Sequence, residues 1–310
     1  MPYQCNIPVS FFIFNRPDAT RKVFAEISKV KPTKLFVIAD GPRRNNTFDE
    51  KNCKSVREII NNINWDCEVH TNFADENMGC KKRISSGLDW VFGQVENAII
   101  LEDDCLPTTS FFKFCELMLM KYAEDERVMM VGGANFMIGE INIQESYFFS
   151  RYFSIWGWAT WKRAWNKYDI DMSEWPKFKK TNQINAYYED LGMRRHLDRI
   201  FDMAANNKLD TWDIQWFYSC LFNSGLSINP AANLVTNIGI DGTHTKEREK
   251  THLHARSEID WDNFKHPSIV GSNYQIDNNI FRSILNKSRL KRVLNNVRFY
   301  LTKFRIYYGN

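Results

Sequence analysis

Short apolar runs alternate with amphipathic stretches through the first third of the chain, and no other feature constrains the fold as strongly. Val9 to Phe14, Leu35 to Ala39, Glu68 to Thr71, Ala98 to Leu101 and Val128 to Val131 each read as a strand. Between them apolar residues recur at helical spacing. Val23, Phe24, Ile27 and Val30 follow the start signal Pro17-Asp18; Val56, Ile59, Ile60 and Ile63 line a second helix; Ile84, Leu88 and Val91 mark a third. In a fourth, Ser110 is the expected cap and Phe111, Cys115, Leu119 and Tyr122 the apolar face. Strand and helix in this alternation build βαβ units on a parallel sheet. The predicted class is therefore α/β, with a Rossmann-like, mostly parallel sheet and flanking helices.

The rhythm breaks near Asn135, and a polar stretch from Gly271 to Asn279 precedes a basic end. We expect three parts: an α/β half over 1–134, a second functional half over 135–270, and a helical C-terminal tail over 271–310. A chain of 310 residues with 44% hydrophobic and 25% charged residues can bury cores of that size. Its seven cysteines are an odd set without a CxxC pair, which predicts reduced thiols in a cytoplasmic setting. Ile7 to Phe14 is too short and too soon interrupted for a signal peptide, and no run reaches the length of a membrane span. From Asn279 to Asn310 there are eight Lys or Arg and no acid; removing them from a net charge of +4 leaves −4 for the body. A nucleic-acid partner is not expected, since no basic stripe crosses that body. Leu290, Val293, Leu294, Val297, Leu301 and Phe304 give the tail an amphipathic pattern. It suits peripheral contact with an anionic membrane through residues 279–310 or docking on the protein itself, and the pattern does not choose between them.

In an open α/β sheet, ligands bind beyond the carboxyl ends of the strands. The residues there are Asn15-Arg16, Asp40-Gly41, the turn Asn77-Met78-Gly79 followed by Lys81, Lys82 and Arg83, and Glu102-Asp103-Asp104. Consecutive acids at a strand end repel, and partial burial makes the repulsion worse unless a cation offsets it. Mg2+ or Mn2+ on few carboxylates, with phosphate and water completing the shell, is the arrangement where a nucleotide diphosphate is cleaved. The competing explanation, an acidic cap for the helix near Ser110, is weakened by the intervening Pro107 and Thr108. Arg16 suits a phosphate or base, and Asp40 a base imide or ribose hydroxyl, although Asp40-Gly41-Pro42 also reads as a plain turn. At least one of Lys81, Lys82 and Arg83 belongs to a solvated helix start.

Ten aromatic residues lie between Tyr147 and Tyr168. Ring faces and indole N–H groups suit sugars, but Trp158, Trp161 and Trp165 have ordinary helix-face spacing. One or two rings around Trp156-Gly157-Trp158 are assigned to a substrate cleft, together with Trp212. Asp213, among aromatics in Trp212-Asp213-Ile214-Gln215-Trp216, reads either as a helix N-cap or as a partly desolvated general base. His244, in Gly242-Thr243-His244-Thr245, is a candidate metal ligand or simply a loop histidine.

These residues together resemble the GT-A nucleotide-sugar glycosyltransferases, and within them the N-acetylglucosaminyltransferase I type and related bacterial enzymes. The likeness covers roughly residues 7 to 250. It rests on Leu101-Glu102-Asp103-Asp104 with a Pro and then Ser110-Phe111-Phe112, on Trp156-Gly157-Trp158, on Trp212-Asp213, and on Asn237-Ile238-Gly239 leading to His244. It implies that Asp104 reaches the metal, that Asp103 approaches the donor ribose or sugar, and that His244 stands near metal and diphosphate. It also implies that Asn15, Arg16, Asp40 and Lys82 grip the nucleotide-sugar, that Trp156, Trp158 and Trp212 face the acceptor, and that Asp213 is the catalytic base of an inverting transfer. By the same resemblance, residues 1–134 are expected to bind a UDP-linked donor, and 135–270 a glycan or lipid-linked acceptor. The rival readings are a metal-dependent nucleotidyltransferase, which wants a Gly- and Lys/Arg-rich loop where Asn15-Arg16-Pro17 stands, and a catalytically silent glycan-binding protein using its tryptophans.

Overall fold

The computed structural model describes residues 3–135, 143–181, 184–188, 190–239 and 255–281. In the first part of the chain β1 (Val9–Ile13), α1 (Pro17–Val30), β2 (Lys34–Ala39), α2 (Thr47–Arg57), β3 (Glu68–Phe73), α3 (Cys80–Phe92) and β4 (Asn97–Glu102) follow the expected alternation. Then come β5 (Cys105–Pro107), α4 (Thr109–Lys121), β6 (Val128–Gly132), β7 (Tyr147–Ser150), β8 (Trp158–Trp161), α5 (Lys162–Trp165), α6 (Trp175–Lys180) and α7 (Ile184–Tyr187). Last are α8 (Leu191–Ala205), α9 (Asp213–Phe222), β9 (Leu226–Pro230) and β10 (Val235–Asn237).

One eight-stranded sheet has the order β3-β2-β1-β4-β8-β6-β9-β7, and β5 pairs with β10 in a small two-stranded ribbon. β3, β2, β1 and β4 run parallel, as do β6 and β9, while β8 lies antiparallel to both β4 and β6. The architecture is thus the expected α/β, a large, mostly parallel sheet flanked by helices. Strands on both sides of residue 134 share it. The chain moves outward from β1 through β2 to β3, then returns to place β4 on the opposite side of β1. The order therefore reverses between β1 and β4, and a crevice opens there at the carboxyl ends.

Two cores explain the continuous apolar runs. Val9, Phe11 and Ile13, with Leu35, Val37, Ala39, Ile99 and Leu101, pack on the face covered by α1 and α4. The intervening Phe12, Phe36, Ile38, Ala98 and Ile100 pack on the other face, against α3, α8 and α9. A strand buried on both faces needs apolar residues at every position, because successive side chains point opposite ways.

Three local expectations are corrected. α2 ends at Arg57, so Ile59 and Ile60 fall on a 3-10 turn over Glu58–Asn62 and not on a continued α-helix. Thr108, not Ser110, caps α4: its hydroxyl accepts from Phe111 N–H at 3.3 Å, while buried Ser110 accepts from Ile259 N–H at 3.0 Å. Trp158 and Trp161 lie on strand β8, not on a helix face. Three apart on a strand, they point to opposite faces, Trp161 into the first core and Trp158, with Trp165, into the second. No described helix is long and apolar enough to cross a membrane. The tail from residue 282 lies outside the described residues.

Candidate functional site

Four strand ends meet at the crevice. Beyond β1, Arg16 occupies the N-cap position of α1, where Pro17 starts the helix without needing an N–H donor. Its Nη1 lies 2.5 Å from Asp104 Oδ2 and 3.4 Å from Asp103 Oδ1. Phe14 N–H donates to Asp103 Oδ2 at 3.2 Å. Asp103 is buried, and Glu102 and Asp104 are half-buried. Burial, together with the charges of Asp104 and Asp103, pushes Glu102 well above the usual carboxylate range; burial does the same to Asp103 against the pull of Arg16. None of the three acids caps α4, whose cap is Thr108, so the helix leaves their proximity unexplained.

Beyond β2, Asp40 is buried, and burial raises its carboxyl above the ordinary range. Its Oδ1 accepts from Gly41 N–H at 2.8 Å and Met78 N–H at 2.9 Å, and its Oδ2 from Asn77 Nδ2 at 2.9 Å. The link to the turn after β3 requires glycine at 41, because a Cβ there would overlap the Glu76 backbone. A cleft of about 330 Å³ runs from Asp40 to Glu102 and Asp103, lined also by Phe14, Arg16 and Arg83.

Beyond β4, pairing of β5 with β10 sets Asn237 opposite Cys105. Ile238 N–H then donates to Asp104 C=O at 2.7 Å. Gly239 arrives so close that a Cβ would overlap Asp104 Oδ2 and stand 2.8 Å from Arg16 Nη1. Asp213 is half-buried at the first position of α9, accepting from Ile214 N–H at 2.9 Å and from Thr211 Oγ1. Its charge contributes to raising the Glu102 carboxyl and the Tyr168 hydroxyl.

Arg16, Asp40, Asp103 and Asp104 are therefore gathered around one crevice, with Asn15 just behind it, donating from Nδ2 to Asp49 Oδ1 at 2.7 Å. Three expectations change. Lys82 is exposed and does not line the cleft; Arg83 does, buried and bonded through Nη2 to Asn72 C=O at 2.7 Å. The signal was in the helical phase: Arg83 shares the inward face of α3 with Gly87 and Val91, and Lys82 does not. Trp158 and Trp212 are 1% and 2% exposed and stacked at 5.4 Å, so neither ring offers a face to an acceptor. Trp156 is half-buried. His244 lies outside the described residues. Asn77, in the turn expected beyond β3, lines the cleft; so do Arg43 and Asp210, which nothing local distinguishes from other turn residues.

Among the described residues no three His, Cys, Asp or Glu side chains converge as a ready-made metal cage. The donors present are carboxylates short of positive charge beside an open cleft. That set fits Mg2+ or Mn2+, hard ions that take one or two carboxylates and complete their shell with phosphate and water.

No protein-family model and no curated protein matches the chain. Among solved structures it is similar to the mannosyltransferase PcManGT from Pyrobaculum calidifontis in complex with GDP-Man and Mn2+, at 15% identity over 51% of this chain and 45% of that one, TM-score 0.36. It is also similar to galactosyltransferase LgtC in complex with donor and acceptor sugar analogs, at 11% identity over 72% and 73%, TM-score 0.36. A UDP-glucose pyrophosphorylase complexed with UDP-glucose aligns at 11% identity over 47% and 64%, TM-score 0.26. The match thus spans less than half the length of the mannosyltransferase.

Proposed function

We propose that the protein is a GT-A-type glycosyltransferase, related to the N-acetylglucosaminyltransferase I type, that moves a sugar with inversion from a nucleoside-diphosphate sugar, a UDP-sugar by preference, to a hydroxyl of a glycan or lipid-linked acceptor. The observation that carries it is the meeting of Arg16, Asp40 and the Glu102-Asp103-Asp104 run at the point between β1 and β4 where the sheet order reverses. Asp40 accepts a hydrogen bond from the base or ribose, Asp103 faces the ribose or sugar, and Arg16 leaves Asp104 to meet the diphosphate. Asp104, with His244, holds the divalent cation, which supplies charge neutralisation for the departing diphosphate. Asp213 takes the acceptor hydroxyl proton as the oxygen attacks C1 from the face opposite the leaving group. Trp156 is the ring left to meet an acceptor. The glycan-binding alternative loses its basis with Trp158 and Trp212 in the core.

Calorimetric titration of UDP, GDP, dTDP and CMP, with Mn2+ and with chelator, tests the reading on wild type and Asp104→Ala. One nucleotide should bind tightly only with metal, and Asp104→Ala should weaken it at least about tenfold, or about 1.4 kcal/mol. Absence of metal-dependent binding for all four would overturn it.

A further inference from the structure

A fully buried carboxylate behind the crevice has no part in the chemistry above. Asp49, in the first turn of α2, has a side chain 0% exposed. Its Oδ1 accepts from Asn15 Nδ2 at 2.7 Å and Arg43 Nη2 at 2.9 Å; its Oδ2 accepts from Arg43 Nε at 2.5 Å and Arg43 N–H at 3.2 Å. The backbone N–H of Asp49 donates to Asn46 Oδ1 at 3.0 Å, so the clamp is itself anchored to the α2 cap. The hydrogen bonds from Arg43 hold the Asp49 carboxyl down at about 2, so it stays ionised through the ordinary pH range.

A carboxylate that takes a guanidinium through Nε and Nη2 fixes the plane of that group as well as its position. Arg43 so held has its Cζ 5.7 Å from the centroid of Phe14, lines the cleft with Phe14 and Asp40, and keeps 46% of its side chain exposed. Two of its donor edges and its charge are already engaged by Asp49, which makes it a poor phosphate clamp. What remains available is a flat face beside an aromatic ring, and guanidinium and aromatic planes are surfaces on which nucleobases stack.

We infer that Arg43, held flat by Asp49 next to Phe14, is the stacking wall for the nucleobase of the donor, with Asp49 a positioning residue that acts through it. This rests on the reading of the cleft as a nucleotide site. The test is calorimetry in Mn2+ on wild type, Arg43→Ala, Arg43→Lys and Asp49→Asn, using two probes: UDP, or whichever nucleoside diphosphate binds wild type, and inorganic pyrophosphate, which has no base. Arg43→Ala should weaken the nucleotide about 10- to 100-fold, the range base stacking spans, and leave pyrophosphate unchanged. Arg43→Lys should lose nearly as much, because an ammonium has no plane. Asp49→Asn should weaken the nucleotide about tenfold or more, again sparing pyrophosphate. Parallel loss of pyrophosphate in Arg43→Ala, wild-type nucleotide affinity in Arg43→Lys, or an unaffected Arg43→Ala or Asp49→Asn would each overturn the inference. If Asp49→Asn does not fold, the two variants of half-exposed Arg43 decide alone. Failure of wild type to bind any nucleoside diphosphate would instead remove the nucleotide site itself, and the wild-type titration tells the two failures apart.

Discussion

Asp213 can be explained without catalysis, since an acid in the first turn of a helix is stabilised by the helix dipole and by free N–H groups. The role of general base proposed for it makes a demand that this explanation does not. The two accounts separate in one variant. Asp213→Asn should lower kcat by about 10² to 10⁴, the usual contribution of a positioned base, while the nucleotide Kd stays at the wild-type value; a fall in Tm with unchanged kcat would reduce Asp213 to a helix-start residue. Gly239 poses a purely steric question, because its Cα rests where a side chain would collide with Asp104 Oδ2. Gly239→Ala must move either the chain or the carboxylate. We expect metal-dependent nucleotide affinity to drop about tenfold or more, near 1.4 kcal/mol, as read by the same titration. Sequence order already singled out Asp104, Arg16 and Asp40, because each lies within three residues of the end of an apolar run. Arg43 and Asp49 were illegible in it, since their pairing depends on how the turn after β2 folds back on α2.

At the scale of elements, the junction of β7 with the helical residues 274–281 carries a buried acid. Asp277 accepts from Ser150 Oγ at 2.6 Å and Arg151 N–H at 3.3 Å, and burial pushes its carboxyl up to about 6. A folded-state value above the unfolded one means that folding takes up a proton between about pH 4 and 6. Stability contributed here is therefore complete below about pH 4 and lost as pH rises through 6, by about 3 kcal/mol at full ionisation. Asp277→Asn removes that dependence. The Tm gap in favour of the variant should open between about pH 4 and 6, stay constant above that and close below pH 4; a gap independent of pH would show that the carboxyl does not titrate in this window. The tryptophan segment marks where reading by element failed. A spacing of three and seven suits a helix, yet Trp158 and Trp161 serve two different cores from one strand.

Taken whole, the molecule cannot be divided at residue 134 without opening its sheet. β8 is hydrogen-bonded between β4 and β6, so a chain ending at 134 keeps β6 but loses the strand that joins it to the parallel half. A 1–134 fragment should lack the cooperative thermal transition of the full chain, as followed by circular dichroism. A sharp transition in the fragment would mean that β3-β2-β1-β4 and its helices are self-sufficient.

Local periodicity was enough to determine β1 to β4, the helices α1 and α3, the α/β class and the acids at a strand end. A side-chain repeat of two or 3.6 residues follows from backbone geometry alone and is printed in the order of residues. Only the tertiary structure decided that β8 enters between β4 and β6, that Trp158 and Trp212 are core, and that Asp49 locks Arg43. Those outcomes depend on which distant segments bury one another, a choice made by the packing of the whole sheet and visible in no single stretch of chain.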